Sequence, residues 1–206
     1  SLYLSILLRP RVSTNLYMGL SVACALGVLD GLTACGATDH IALKWPNDVL
    51  AKGHKLAGIL MEAVHGTEGS FAVCGVGINL IMPTGVEAAS DEPLGPLAPA
   101  CLADALAGRP TPNFKELAYA IHAGIISRAD KWSYVIQGQT QSLAPILDEY
   151  QTHVNYLGQQ VAAVSPSGKL VCQGIFSHID GWGRAILHLA NGEDKAYSCE
   201  QISLRL

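Results

Sequence analysis

The spacing of apolar residues changes several times along this chain, and each change marks an element. Residues 2–9 (LYLSILLR) read as a strand that ends at Pro10. The next run, LYMGLSVACALGVL at 16–29, is apolar around most of a helical circumference. It predicts a buried helix, opened by a Ser13 or Thr14 cap, running to about Cys35 and stopped at Gly36. IALKW (41–45) reads as a strand, and Trp45 is held extended by the proline that follows. Pro46-Asn47-Asp48 carries turn chemistry. VLA (49–51) and KLAGILMEAV (55–64) predict two strands about a hairpin at Lys52-Gly53-His54. Within the second, alternation sets Lys55, Ala57, Ile59 and Met61 on one face. A turn over Gly66–Gly69 leads into SFAVCGVGINL (70–80), another strand.

Residues 81–97 are rich in proline and glycine and predict a loop. Helices follow over about 99–107, 113–137 and 142–156, the second with Phe114, Leu117, Ile121, Ile125 and Trp132 on one stripe. From Gly158 the texture changes to five short strands (VAAVS, KLVCQGIFSHID, RAILHLA, KAYSC, ISLRL), punctuated by SPSG, DGWG and NGED. That pattern predicts a small β-barrel. Strands followed by helices make the first part an α+β layer with a sheet packed by helices. The expected division is 1–157 and 158–206.

Composition narrows the function classes. With 50% hydrophobic and 15% charged residues, the chain can build a sizeable core. A net charge of −4 gives no electrostatic footprint for nucleic acid, and no Lys/Arg run suggests a membrane surface. The six cysteines include no CxxC pair and the histidines do not cluster with them, so no metal site is expected. They read as small buried hydrophobes in a reducing cytoplasm. No signal peptide is visible, and the apolar run stops at Asp30, short of the ~20 residues a membrane span needs. Open strand edges are compatible with a homodimer. The chain starts with Ser1, already inside a strand pattern, from which residues upstream are expected.

Four segments could carry chemistry. Lys44-Trp45-Pro46-Asn47-Asp48 puts a lysine in apolar surroundings beside a carboxylate on a stiffened turn. The pair could be purely structural. Lys55 opens an apolar strand beside the small residues Ala57 and Gly58, a narrow positive site suited to an anionic transition state such as an acyl-phosphate. A lysine snorkelling from a strand end is the competing reading. In Cys74-Gly75-Val76-Gly77-Ile78-Asn79, the glycines mark close approach by a ligand or a bulge, and Asn79 offers an amide. Arg205 lies in the terminal strand, where surface exposure is the default. No Ser/His/Asp or Cys/His nucleophile, HExxH or P-loop occurs.

Taken in order, LYLSILLRP, KWPNDVL, KLAGILMEA and GVGINL resemble the catalytic domain of the biotin protein ligases. The tail, GIFSHIDGWGRAILHL and EQISLR, is similar to that family's small SH3-like carboxyl-terminal domain. The resemblance implies a largely antiparallel mixed sheet packed by helices, of the class II synthetase-like ligase type. It implies formation of biotinyl-5′-AMP from biotin and ATP with Mg²⁺, then transfer of biotin to a lysine of a carboxylase carrier domain. Lys55 would touch the biotin carboxyl and the adenylate, and Asp48 would lie near the incoming acceptor lysine. Lys44, Trp45 and Asn47 would wall the site; Gly58 and Ile59 would belong to the biotin pocket. Gly77 and Asn79 would line the adenylate, with Arg205 reaching the nucleotide from the small domain. The family's GRGRxGR-type loop precedes its LYLS strand, and this chain begins after that point. A ligase-like protein that only binds the carrier domain is therefore the alternative; a lipoate-attaching enzyme is a weaker match.

Overall fold

The computed structural model describes residues 1–37, 40–66, 69–82 and 97–206. Most of the loop expected over 81–97, and the two residues inside the turn at Gly66–Gly69, lie outside the described residues.

Five strands form the first sheet: β1 (Leu2–Leu8), β2 (Ile41–Lys44), β3 (Asp48–Ala51), β4 (His54–Gly66) and β5 (Gly69–Ile78). Their spatial order is β1-β5-β4-β3-β2, with every ladder antiparallel. Hairpins account for most of that order. Lys52 and Gly53 both take positive φ, 51° and 82°, which matches a two-residue turn to the strand twist between β3 and β4. Trp45, Pro46 and Asn47 join β2 to β3, with Lys44 and Asp48 as the last paired positions and a cis Trp45–Pro46 peptide.

One helix face of this sheet is built by α1 (Tyr17–Ala34), preceded by a short 3₁₀ turn at Thr14–Leu16. Neither Ser13 nor Thr14 caps it through a side chain; Leu16 is the N-cap, and its N–H bonds to the Ser13 carbonyl. The far end behaves as expected, with Cys35 as C-cap and Gly36 at φ 93°. Thr14–Ala34 is long and apolar enough to cross a membrane, yet 78% of an 18-residue apolar window within it is buried inside the protein. The helix runs past Asp30, and Asp30 pairs with Arg128, which also binds Glu149.

Arg128 belongs to α3 (Phe114–Val135), which lies against α1. Gly27 and Gly124 meet at the crossing: a Cβ built on Gly124 would stand within contact of the Gly27 carbonyl, closer than any real side chain allows. Leu117, Ile121, Ile125, Ala129 and Trp132 form the buried stripe of α3. Phe114, expected on that stripe, is exposed, because it is the first helical residue after the Asn113 cap. Two further helices are shorter than their sequence patterns. α2 spans Leu102–Leu106, since residues 98–100 run extended instead, bonded to Lys55 on both sides. α4 spans Leu147–His153, starting only after Pro145, which has no N–H for an earlier turn.

The last five strands form a second antiparallel sheet: β6 (Gln160–Val164), β7 (Leu170–Ile179), β8 (Ala185–His188), β9 (Asp194–Tyr197) and β10 (Ser203–Arg205). Its order is β10-β6-β7-β8-β9. All five predicted strands are present. The fold is thus α+β, two antiparallel sheets with helices packed against the first. One apolar core is continuous through both, from Leu2 to Leu204. Cys24 and Cys74 are buried in it as expected; Cys35, Cys101, Cys172 and Cys199 are only partly covered.

Candidate functional site

Lys55 Nζ sits 2.6 Å from Asp48 Oδ1. A bulge makes this possible. The β3–β4 register runs Asp48–Gly58 and Val49–Ala57, then shifts so that Leu50 faces Lys55. Leu56 is the extra residue, and the alternation read from sequence breaks there. Ala57 and Ile59 have their side chains buried in the core, but Lys55 is aimed at the open side with Gly58 and Leu60. Bulges beside functional sites commonly re-aim a side chain in this way.

The opposite wall comes from the β2–β3 hairpin. Asn47 is locked to β4 twice: its Nδ2 donates to the Ile59 carbonyl at 2.8 Å, and the Ile59 N–H donates to the Asn47 carbonyl at 2.9 Å. That fixes Asp48, the next residue. Lys44, the cross-strand partner of Asp48, is 3% exposed and borders the same space. Burial lowers its pKa to about 8, with the cations Arg205 and Lys55 pushing down and Asp48 pushing up.

These groups converge on a cavity of about 650 Å³. Lys44, Asn47, Asp48, Lys55, Gly58, Ile59 and Gly77 line it from the first sheet, and Arg205 from the second. Arg205 is therefore no free surface arginine. Its Nη1 donates to the Leu204 carbonyl, and its buried Nε has no hydrogen-bond partner among the described residues. An adjoining cavity of about 410 Å³ shares Tyr3, Lys55, Gly58 and Gly77 and adds Asn79. Volumes of this size suit a small-molecule ligand. The glycines are not bulges: Gly75 and Gly77 sit in unbroken register on both neighbours, and the ring of Tyr3 covers Gly77.

Charge here is unbalanced. Among the described residues three cations, Lys44, Lys55 and Arg205, face one carboxylate that is already paired with Lys55. Lys44 is buried there without an ion pair of its own among these residues, and a buried cation without an anion is costly, so the cavity favours an anionic ligand.

The sequence matches the Biotin/lipoate A/B protein ligase family over residues 1–79. It is 32% identical over 186 residues to a biotin--[acetyl-CoA-carboxylase] ligase of Paracoccus denitrificans, covering 89% of this chain and 72% of that protein. The chain belongs to the biotin/lipoate protein ligase family.

A second relative, the biotin--[acetyl-CoA-carboxylase] ligase of Mycobacterium tuberculosis, is 32% identical over 170 residues, covering 82% of this chain and 56% of its own length. Biotin protein ligase from Aquifex aeolicus has the same fold, with a TM-score of 0.75, 23% identity, and coverage of 98% of this chain and 81% of that one. The same protein in complex with biotin and ATP superposes with a TM-score of 0.73 at 21% identity, covering 98% and 77%.

Within this ligase fold, two candidate residues stand apart from the cavity wall. Trp45 is 2% exposed and does not line the cavity; its indole N–H donates to the Gly183 carbonyl at 3.0 Å. Asn79 borders the second cavity, but its amide nitrogen is spent on the carbonyls of Ala100 and Lys55, and its N–H on Leu56. Other cavity residues were not singled out from sequence: Tyr3, Ser5, Leu60, Cys199 and Ser203. The β1 residues had a signal, since Tyr3 and Ser5 alternate with core positions. Cys199 and Ser203 had none, because only the placement of the second sheet brings them there.

Proposed function

We propose that this chain is an ATP-dependent biotin protein ligase, which forms biotinyl-5′-AMP and transfers biotin to a lysine of a carboxylase carrier domain. The observation that carries this reading is the Lys55–Asp48 pair at the wall of a cation-rich cavity, in a chain of this family.

In the first half-reaction the biotin carboxylate attacks the α-phosphorus of ATP and pyrophosphate leaves. Lys55 is placed to donate to the oxygens on which negative charge builds. Lys44 and Arg205 add positive charge for the phosphates. In the second half-reaction the acceptor amine attacks the acyl carbonyl, AMP leaves, and the amine loses a proton. Asp48 is placed to orient that amine and assist the proton's departure. Gly58, Ile59 and Gly77 offer close backbone approach to the ligand, and Asn79 holds the 97–102 segment that borders the nucleotide end. Mg²⁺ would enter on the nucleotide's own phosphates. Among the described residues no three His, Cys, Asp or Glu side chains converge to cage a metal, and no step is assigned to it. Residues 158–206 correspond in this reading to a small SH3-like carboxyl-terminal domain, 1–157 to the catalytic one, and the setting is cytoplasmic.

The test is direct. The 206-residue chain is mixed with biotin, ATP, Mg²⁺ and a carrier domain, and the carrier is probed for covalent biotin. Labelling that disappears in Lys55→Ala supports the reading. A folded chain that binds carrier but never labels it would favour the carrier-binding alternative.

A further inference from the structure

We propose that Trp45 is a positioning residue, pinned by the turn between β7 and β8 so that Asp48 is held in place for transfer; this rests on the ligase reading above. Trp45 and Gly183 are 138 residues apart, yet their buried hydrogen bond is 3.0 Å long. The turn that offers the carbonyl is itself braced. Asp180 Oδ1 accepts from the N–H groups of Trp182 and Arg184, and its Oδ2 takes the Arg184 guanidinium at 2.6–2.7 Å. Gly183, at φ 86°, lies against Met18 and Leu143, where a Cβ would stand 2.6 Å from the Met18 side chain. The Leu143 N–H also donates to the Gly181 carbonyl.

On the other side of Trp45 the chain has one short path to the carboxylate. Pro46 follows, and then Asn47, which is doubly bonded to Ile59. Asp48 is thus held between two anchors, one on β4 and one on the second sheet. Without the Gly183 anchor, the Trp45 side of the turn loses its tie to the second sheet, while the Lys44–Asp48 pairing remains. A buried carbonyl that loses its donor also seeks another partner, which moves the turn. Trp45 does not line the cavity, so its effect on chemistry passes through the neighbours it holds, Asp48 and its cross-strand partner Lys44.

Trp45→Phe keeps the apolar ring and deletes the donor. Two measurements follow on the whole chain. Single-turnover transfer from preformed biotinyl-5′-AMP to a carrier domain is expected to slow by about 10- to 100-fold, the scale of a roughly 1 Å misplacement, with adenylate formation little changed. Combined with Asp48→Asn, the loss is expected to be no greater than in Asp48→Asn alone, whereas a merely structural loss would multiply to within about twofold. Hydrogen exchange provides a readout that needs no activity: amides of 44–50 and 180–184 lose protection while β5 keeps it. Should Trp45→Phe fail to fold, Asp180→Asn releases the same turn from its Arg184 brace and is expected to give the same selective loss. Unchanged protection over 44–50, or multiplicative losses with Asp48→Asn, would overturn the proposal. An absence of transfer by the wild-type chain would instead sink the ligase reading, with the exchange experiment still deciding whether the Trp45–Gly183 bond holds the hairpin.

Discussion

Lys55 and Asp48 meet at 2.6 Å because a bulge at Leu56 turns Lys55 out of the core. Lys55 is 45% exposed and Asp48 16%, so the pair contributes only about 0–1 kcal/mol to stability. Its value lies in the cavity. Lys55→Ala is expected to leave thermal stability nearly unchanged and to slow adenylate formation by about 10²- to 10³-fold, as loss of one transition-state donor does. Asp48→Asn should slow transfer more than adenylation. Equal slowing of both half-reactions would remove Asp48 from the role assigned to it.

Lys44 makes stability depend on pH. Burial holds its folded pKa at about 8, below the ordinary 10.5. Below pH 8 both folded and unfolded chains carry the proton, and the buried charge weakens the fold throughout. Between about 8 and 10.5 the unfolded chain binds more protons, so this group makes stability rise with pH. Lys44→Met is expected to abolish that rise and to stabilise the protein at pH 7 by about 1–3 kcal/mol, while weakening nucleotide binding. Urea melts of both proteins across pH 7–10 check the sign.

Arg205 works against Lys44 from the second sheet, lowering its pKa. Arg205→Gln should therefore raise the midpoint of the Lys44-dependent stability change. It should also weaken ATP binding by about tenfold, the order of one charge-assisted hydrogen bond, measured by calorimetry. Because its Nε has no partner among the described residues, the ligand-free protein should lose little stability.

The α1–α3 crossing tolerates no side chain at Gly124. A Cβ there would overlap the Gly27 carbonyl, a backbone atom that cannot rotate away. Gly124→Ala is expected to cost about 3 kcal/mol or more in chemical denaturation, against a helix-propensity gain of about 1 kcal/mol. A neutral result would mean the helices can move apart.

Local order was legible in the residues themselves. The β3–β4 hairpin followed from Lys52-Gly53, the start of α3 from the Asn113 cap, and the five closing strands from their turn sequences. KWPND and KLAGIL identified the family, and six of the first-sheet candidates do share one cavity with Lys55. All of these depend on neighbours within a few positions, where backbone preference and side-chain period decide. What failed to show did so for a physical reason. Alternation placed Lys55 with Ala57 and Ile59, and one inserted residue reverses the face of everything before it. Trp45 reads as a cavity wall until Gly183 is found above its indole, and Arg205 reads as surface until β10 lies beside Lys44. Those relations join residues more than a hundred positions apart. No local preference encodes them; packing of the second sheet against the first does.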